Sequence, residues 1–167
     1  AALRTAKTNT SLARYGNGVR NGNYYWTSVQ TADPNDTRFR KFNITSQPGA
    51  PADGTGDFRN EAFQYGWVVE ADPFKPQAAP RKRTSLGRMN HEGAWPGRLV
   101  AGVRPAWYMG DDAQNEYIYK FVSATPWNSA DATAADRLAV GDKYLDQGTL
   151  YVARFDADGT GQWLPLV

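Results

Sequence analysis

The sequence predicts a mainly β fold with long irregular loops and little helix. Short stretches rich in aromatic and β-branched residues recur through the second half of the chain. Clusters of Gly, Pro, Asn and Asp separate them. The first 65 residues also lack the apolar period of a long amphipathic helix. With 22 aromatic side chains (6 Trp, 9 Tyr, 7 Phe) among 167 residues, there is enough apolar surface to build a core.

Taken in order, residues 1–64 are rich in Gly, Asn, Asp, Thr and Pro, interrupted by aromatic patches such as Tyr24-Tyr25-Trp26 and residues 39–42. They read as loops and irregular turns with one hairpin. Trp67-Val68-Val69-Glu70-Ala71 is a strand stopped by Asp72-Pro73, and residues 83–89 form its expected partner across a proline-rich loop. Ala106-Trp107-Tyr108-Met109 is a further strand. Glu116-Tyr117-Ile118-Tyr119-Lys120-Phe121-Val122 is the clearest of all. Modest helical character falls on residues 130–138. Residues 149–155 and 162–166 then pair as a hairpin around Asp156-Ala157-Asp158-Gly159-Thr160-Gly161.

The tetrad Asp-Gly-Thr-Gly occurs twice, at residues 53–56 and 158–161. A unit of strand, acidic or Gly-rich turn, and strand recurs at uneven spacing. Propeller blades run to roughly 40–50 residues, so a chain of this length holds about three or four of them, where a closed propeller takes four to eight. The chain is thus either a smaller β-fold or a portion of a propeller.

Composition removes several function classes. A net charge of +2 is too small to argue for a nucleic-acid partner, and no run of 18 apolar residues spans a membrane. The absence of cysteine excludes a disulfide scaffold, a zinc–thiolate site and a thiol nucleophile within this chain. A single histidine makes no His-rich metal site, and neither a Gly-x-Ser-x-Gly elbow nor a Walker-type loop occurs. The opening Ala1-Ala2-Leu3-Arg4-Thr5 has no signal-peptide pattern, which suits a mature protein or an internal portion of one.

Three clusters carry chemistry. Gly87-Arg88-Met89-Asn90-His91-Glu92-Gly93-Ala94 offers an imidazole, a carboxylate and a guanidinium between glycines. Its carboxylate suits a hard cation and Arg88 suits a phosphate oxygen; the plainer account is a polar loop. Gly110-Asp111-Asp112-Ala113-Gln114-Asn115-Glu116 clusters oxygen donors at a strand-to-strand turn, as a calcium site or as an ordinary acidic turn. The Asp156 to Gly161 stretch lacks the later ligands of an EF-hand and reads as a hairpin turn. The Arg81-Lys82-Arg83 run reads as a solvated strand edge, and Glu70 points either inward or out.

From residue 65 onward the segments resemble, in order, the PhoX-type alkaline phosphatase family. The resemblance is carried by Tyr65-Gly66-Trp67-Val68-Val69-Glu70-Ala71-Asp72-Pro73 and by Arg83-Thr84-Ser85-Leu86-Gly87-Arg88-Met89-Asn90-His91-Glu92-Gly93-Ala94. Tyr108-Met109-Gly110-Asp111-Asp112, Glu116-Tyr117-Ile118-Tyr119-Lys120-Phe121-Val122-Ser123 and Gly148-Thr149-Leu150-Tyr151-Val152-Ala153-Arg154-Phe155 continue it. Residues 65–167 match strongly and residues 1–64 loosely, so that all of 1–167 reads as one partial propeller domain.

That resemblance implies a secreted or periplasmic enzyme, a six-bladed β-propeller whose central channel holds iron and calcium. Phosphate monoesters are its substrates, and the metals take up charge on the phosphoryl group. By position, Glu92 is an expected iron ligand and Asp111 and Asp112 are expected calcium ligands. Arg88 is assigned a phosphate contact from charge and proximity. The family's Thr-Cys-Glu-Glu-Asn type motif is missing. The expectation is therefore a fragment, nearly inactive alone, associating with the remaining fragments of the same protein or with itself. The alternative is a non-catalytic extracellular propeller or binding module stabilised by calcium.

Overall fold

The computed structural model describes residues 46–166. The chain divides into two compact units, Ala1–Gly66 and Trp67–Val167. The loops expected of residues 1–45 lie outside the described residues.

In the first unit, turns surround a short 3-10 helix, Glu61–Gln64. Asp57 organises them. Its carboxylate accepts from the backbone N–H of Gln47 at 2.9 Å and from Arg59 Nε and Nη2 at 2.8 and 2.7 Å. The Arg59 bonds first, then the backbone bond, hold this carboxyl well below the usual range.

The two Asp-Gly-Thr-Gly tetrads fold alike. Asp53 Oδ1 accepts from the N–H and hydroxyl of Thr55 at 3.0 and 2.8 Å, and Asp158 Oδ1 does the same with Thr160 at 3.0 and 2.7 Å. Each is an aspartate-closed turn made by local side-chain bonding. The second joins two strands, as the sequence predicts.

The second unit is built from two antiparallel sheets. The smaller pairs β1 (Val69–Glu70) with β2 (Arg81–Lys82). The larger is a meander of β3 (Trp95–Pro96), β4 (Ala106–Gly110), β5 (Ile118–Ser123), β6 (Gly148–Phe155) and β7 (Gly161–Leu166). Residues 124–147, between β5 and β6, hold a 3-10 helix, Ser129–Thr133, and the helix α1, Arg137–Leu145. Asp136 caps α1, accepting from Ala139 N–H at 3.2 Å. The fold is mainly β with little helix, as expected. No described helix is long and apolar enough to cross a membrane.

Period-two alternation sorts the large sheet into two faces. On β5, Tyr119, Phe121 and Ser123 are buried while Ile118, Lys120 and Val122 are not. Tyr119 and Phe121 join Met109 of β4 with Leu86 and Met89 in the core, flanked by Val68, Ala94, Trp107, Leu145, Leu150 and Val152. On the other face a cross-strand row runs Trp95, Tyr108, Lys120, Tyr151, Pro165. Lys120 Nζ lies 4.5 Å from the Trp163 ring centroid and 5.3 Å from that of Tyr151. Desolvation among these rings lowers its pKa.

Two expectations are corrected. Residues 83–89 do not form a strand: β2 is Arg81–Lys82, and Thr84–Leu86 turns into a 3-10 helix. Arg83 is not a solvated edge, since only 1% of it is exposed. Its Nε and Nη2 bond Glu70 at 2.8 and 2.5 Å, and its Nη1 bonds Asp142 and Asp146, each at 2.7 Å. Nη2 also bonds the Leu138 carbonyl at 3.2 Å. This guanidinium ties the small sheet to α1, and it draws Glu70 toward itself.

Candidate active-site edge

Just beyond the end of β4 the chain pairs with the segment that leads to β3. His91 and Asp111 form an isolated antiparallel bridge. Glu92 N–H donates to the Gly110 carbonyl at 3.1 Å, and Asp112 N–H donates to the Asn90 carbonyl at 2.9 Å. Further along, Trp95 pairs with Tyr108. From 91 to 95 is four steps, whereas from 111 to 108 is three. The extra residue is a bulge, and Gly93, at φ 94°, supplies the backbone conformation it needs. A Cβ on Gly93 would lie 2.6 Å from Trp95 Nε1.

This pairing brings three of the sequence-predicted residues together. Asp111 is the cross-strand neighbour of His91, and Glu92 and Asp112 flank that bridge on the two strands. Glu92 and Asp112 are exposed and Asp111 is half-buried. Asp111 Oδ1 accepts from Ala113 N–H at 3.1 Å, opening the turn. Glu116 N–H then closes on the Ala113 carbonyl at 3.2 Å, with Asn115 at φ 64°. Among the described residues, the carboxylates of Glu92 and Asp112 make no hydrogen bond or ion pair. Arg88, half-buried, directs its guanidinium carbon to 5.9 Å from the Trp67 ring centroid.

The sequence alone gives His91 no role, yet the structure does. Its Nε2 lies 3.1 Å from the Gly87 carbonyl, an acceptor, so Nε2 carries the proton. Nδ1 is buried and unpartnered, and such an acceptor costs roughly 1–3 kcal/mol. Burial lowers the imidazole pKa, opposed by the Gly87 carbonyl and the Asp111 charge. The tight glycine-bounded spacing is the available signal, but which way the ring turns depends on the fold.

The arrangement offers hard oxygen donors on one edge. It is not a metal centre by itself. Among the described residues, no three His, Asp or Glu side chains converge on a point that could hold a metal. Calcium takes six to eight oxygen ligands, more than Glu92, Asp111 and Asp112 supply, so these three carboxylates alone do not complete a cation site.

The chain matches the family model described as alkaline phosphatase PhoX over residues 3–167, and it belongs to that family. It is similar to a solved structure described as Pseudomonas fluorescens PhoX in complex with vanadate, a transition state analogue. The two share 47% sequence identity with a TM-score of 0.56, over 65% of this chain and 19% of that chain. This chain therefore spans less than a fifth of that protein's length. No curated protein matches.

Proposed function

We propose that the chain supplies part of the active site of an alkaline phosphatase, a hydrolase of phosphate monoesters that works with iron and calcium. The observation that carries this reading is family membership over residues 3–167, together with 47% identity to a relative described with vanadate bound. A transition-state analogue is held by the groups that stabilise the reaction's charge, and phosphoryl transfer relies chiefly on positioning and electrostatics.

In this reading Glu92 contributes one ligand to iron, and Asp111 and Asp112 contribute to calcium. Arg88 meets the phosphate, where a guanidinium fork matches two phosphate oxygens. The remaining ligands come from outside this set, on further fragments of the same protein or another copy. The chain supplies about three to four blades' worth of a six-bladed propeller, the whole of 1–167 being a partial propeller domain. The enzyme acts in the periplasm or outside the cell.

The test is hydrolysis of p-nitrophenyl phosphate by the purified 167-residue chain with calcium and iron supplied, alongside intact mass and metal analysis. The expected result is no sustained turnover from a single 18.5 kDa species. Turnover should appear where a larger assembly holds both metals. Sustained metal-dependent turnover by the lone chain would show that its own residues complete the site, contrary to this reading. A larger assembly that binds calcium and never turns over would favour a non-catalytic module.

A further inference from the structure

The residues of the 87–92 segment differ in burial. Met89 is buried in the core at 3% exposure, and His91 is turned in far enough to bury Nδ1. Arg88 is half-buried and Glu92 exposed. Gly87 opens the segment at φ 85°, where a Cβ would lie 2.8 Å from Leu150 Cδ2 and 3.0 Å from Met89 Cε. His91 returns to that point, its Nε2 lying 3.1 Å from the Gly87 carbonyl, and so closes a loop that contains Arg88. The same residue forms the bridge to Asp111, while its neighbours Asn90 and Glu92 carry the backbone bonds to Asp112 and Gly110. The imidazole thus sits at the joint between the loop bearing Arg88 and the edge bearing Glu92.

We propose that His91 is a positioning residue, whose Nε2–H bond to the Gly87 carbonyl holds Arg88 and Glu92 in one fixed relation. The inference rests on the phosphatase reading, because there Arg88 meets the phosphate and Glu92 holds one of the metals that act on it. A neutral imidazole has a single N–H. Were the proton on Nδ1 instead, a lone pair would face the Gly87 oxygen and a buried N–H would lack an acceptor. One tautomer is therefore selected. Leucine would fill the space and make no such bond, whereas glutamine carries an amide N–H at similar reach.

His91 is the chain's one histidine, so its ring nitrogens are read directly by NMR of the 167-residue chain. The Nε2–H tautomer is expected, and the Nδ1–H tautomer overturns the proposal. Amide exchange at Glu92 and Asp112 should quicken by about tenfold in His91→Leu and stay near the wild-type rate in His91→Gln. Exchange that is unchanged in His91→Leu also overturns it. In an assembly that turns over p-nitrophenyl phosphate, His91→Leu should lower kcat by roughly 10–100-fold with KM little changed, and His91→Gln should recover most of it. If instead both variants lose activity in step with their melting temperatures, the residue is merely structural and the proposal falls. A larger wild-type assembly that holds both metals and never turns over defeats the phosphatase reading, and the tautomer and amide exchange still decide the loop-bracing role.

Discussion

Two charged clusters lie only a few residues apart in sequence, and the protein treats them in opposite ways. Around Arg83 every bonding capacity is met. Its five N–H groups make five hydrogen bonds, to Glu70, Asp142, Asp146 and the Leu138 carbonyl, with the side chain 1% exposed. On the 87–92 edge capacity is left over: among the described residues His91 Nδ1 is buried without a partner, and the exposed carboxylates of Glu92 and Asp112 make no bond. A closed network specifies structure, because anything added or removed leaves a buried charge uncompensated. An open set of donors specifies little structure and is available to a ligand.

The largest effect expected from this contrast is at Arg83. Arg83→Met strands Glu70 and Asp146 and leaves Asp142 only Arg81, whose Nε lies 3.4 Å away, though Glu70, Asp142 and Asp146 are 29%, 41% and 51% exposed and can partly rehydrate. We expect a loss of about 2–3 kcal/mol, below the full cost of breaking a buried pair, measured by urea unfolding. Arg83→Lys should recover less than half, because an ammonium cannot reproduce the fork. A change smaller than about 0.5 kcal/mol would mean that the cage is not what joins the small sheet to α1.

Glu92→Gln and Asp112→Asn should do the reverse. Their carboxylates have no partner to lose, so stability should move by no more than about 0.5 kcal/mol. In an assembly with phosphatase turnover, each should cost activity by roughly a hundredfold or more, as expected of a metal ligand or its support. Should Glu92→Gln melt the chain while leaving turnover intact, the two clusters would have been assigned the wrong way round.

Acid sharpens the same contrast. Bonding by Arg83 is the first cause holding the Asp142 carboxyl below its ordinary value of 3.8. A depressed carboxylate pKa contributes stability above the unfolded value, and that contribution disappears as pH falls through the folded one. The deficit of Arg83→Met should therefore shrink below pH 3.8. Unfolding curves for both proteins across that window check it, and a deficit that stays constant into strong acid would remove the carboxylates from the account.

Much of this architecture is legible in the sequence where side-chain chemistry is local. The aromatic and β-branched runs of β4, β5 and β6 are strands within a residue or two of expectation, and the Asp158 turn closes through its own Thr160. Glu92, Asp111 and Asp112 stand out in the sequence as donors, and the register of 90–92 against 110–112 brings them to one edge. The misreadings share a cause. Arg83 looks like part of a basic run because the carboxylates that bury it, Asp142 and Asp146, stand 59 and 63 residues away. Helical character expected over 130–138 is divided between the 3-10 helix Ser129–Thr133 and the first turn of the longer α1, Arg137–Leu145. There Leu138 and Tyr144 bury, and the Tyr144 hydroxyl anchors to Asp131 and to Asn128 N–H, the latter at 2.9 Å. Such long-range partners leave no periodic trace in the chain.

The smallest expected effect is also the most direct reading of the open edge. Burial at His91 outweighs the Gly87 carbonyl and the Asp111 charge, so its imidazole should titrate below the ordinary value of 6.5. Between the folded and unfolded pKa values the unfolded chain binds more protons, and stability therefore rises with pH in that window. As pH falls from above 6.5, stability should decline slightly and level off below the folded pKa. His91→Gln, which has no titrating ring, should abolish that slope. The ring C–H resonances of the one histidine report the midpoint without interference. A midpoint at or above 6.5 would mean that the Gly87 carbonyl and the Asp111 charge together outweigh burial at the imidazole.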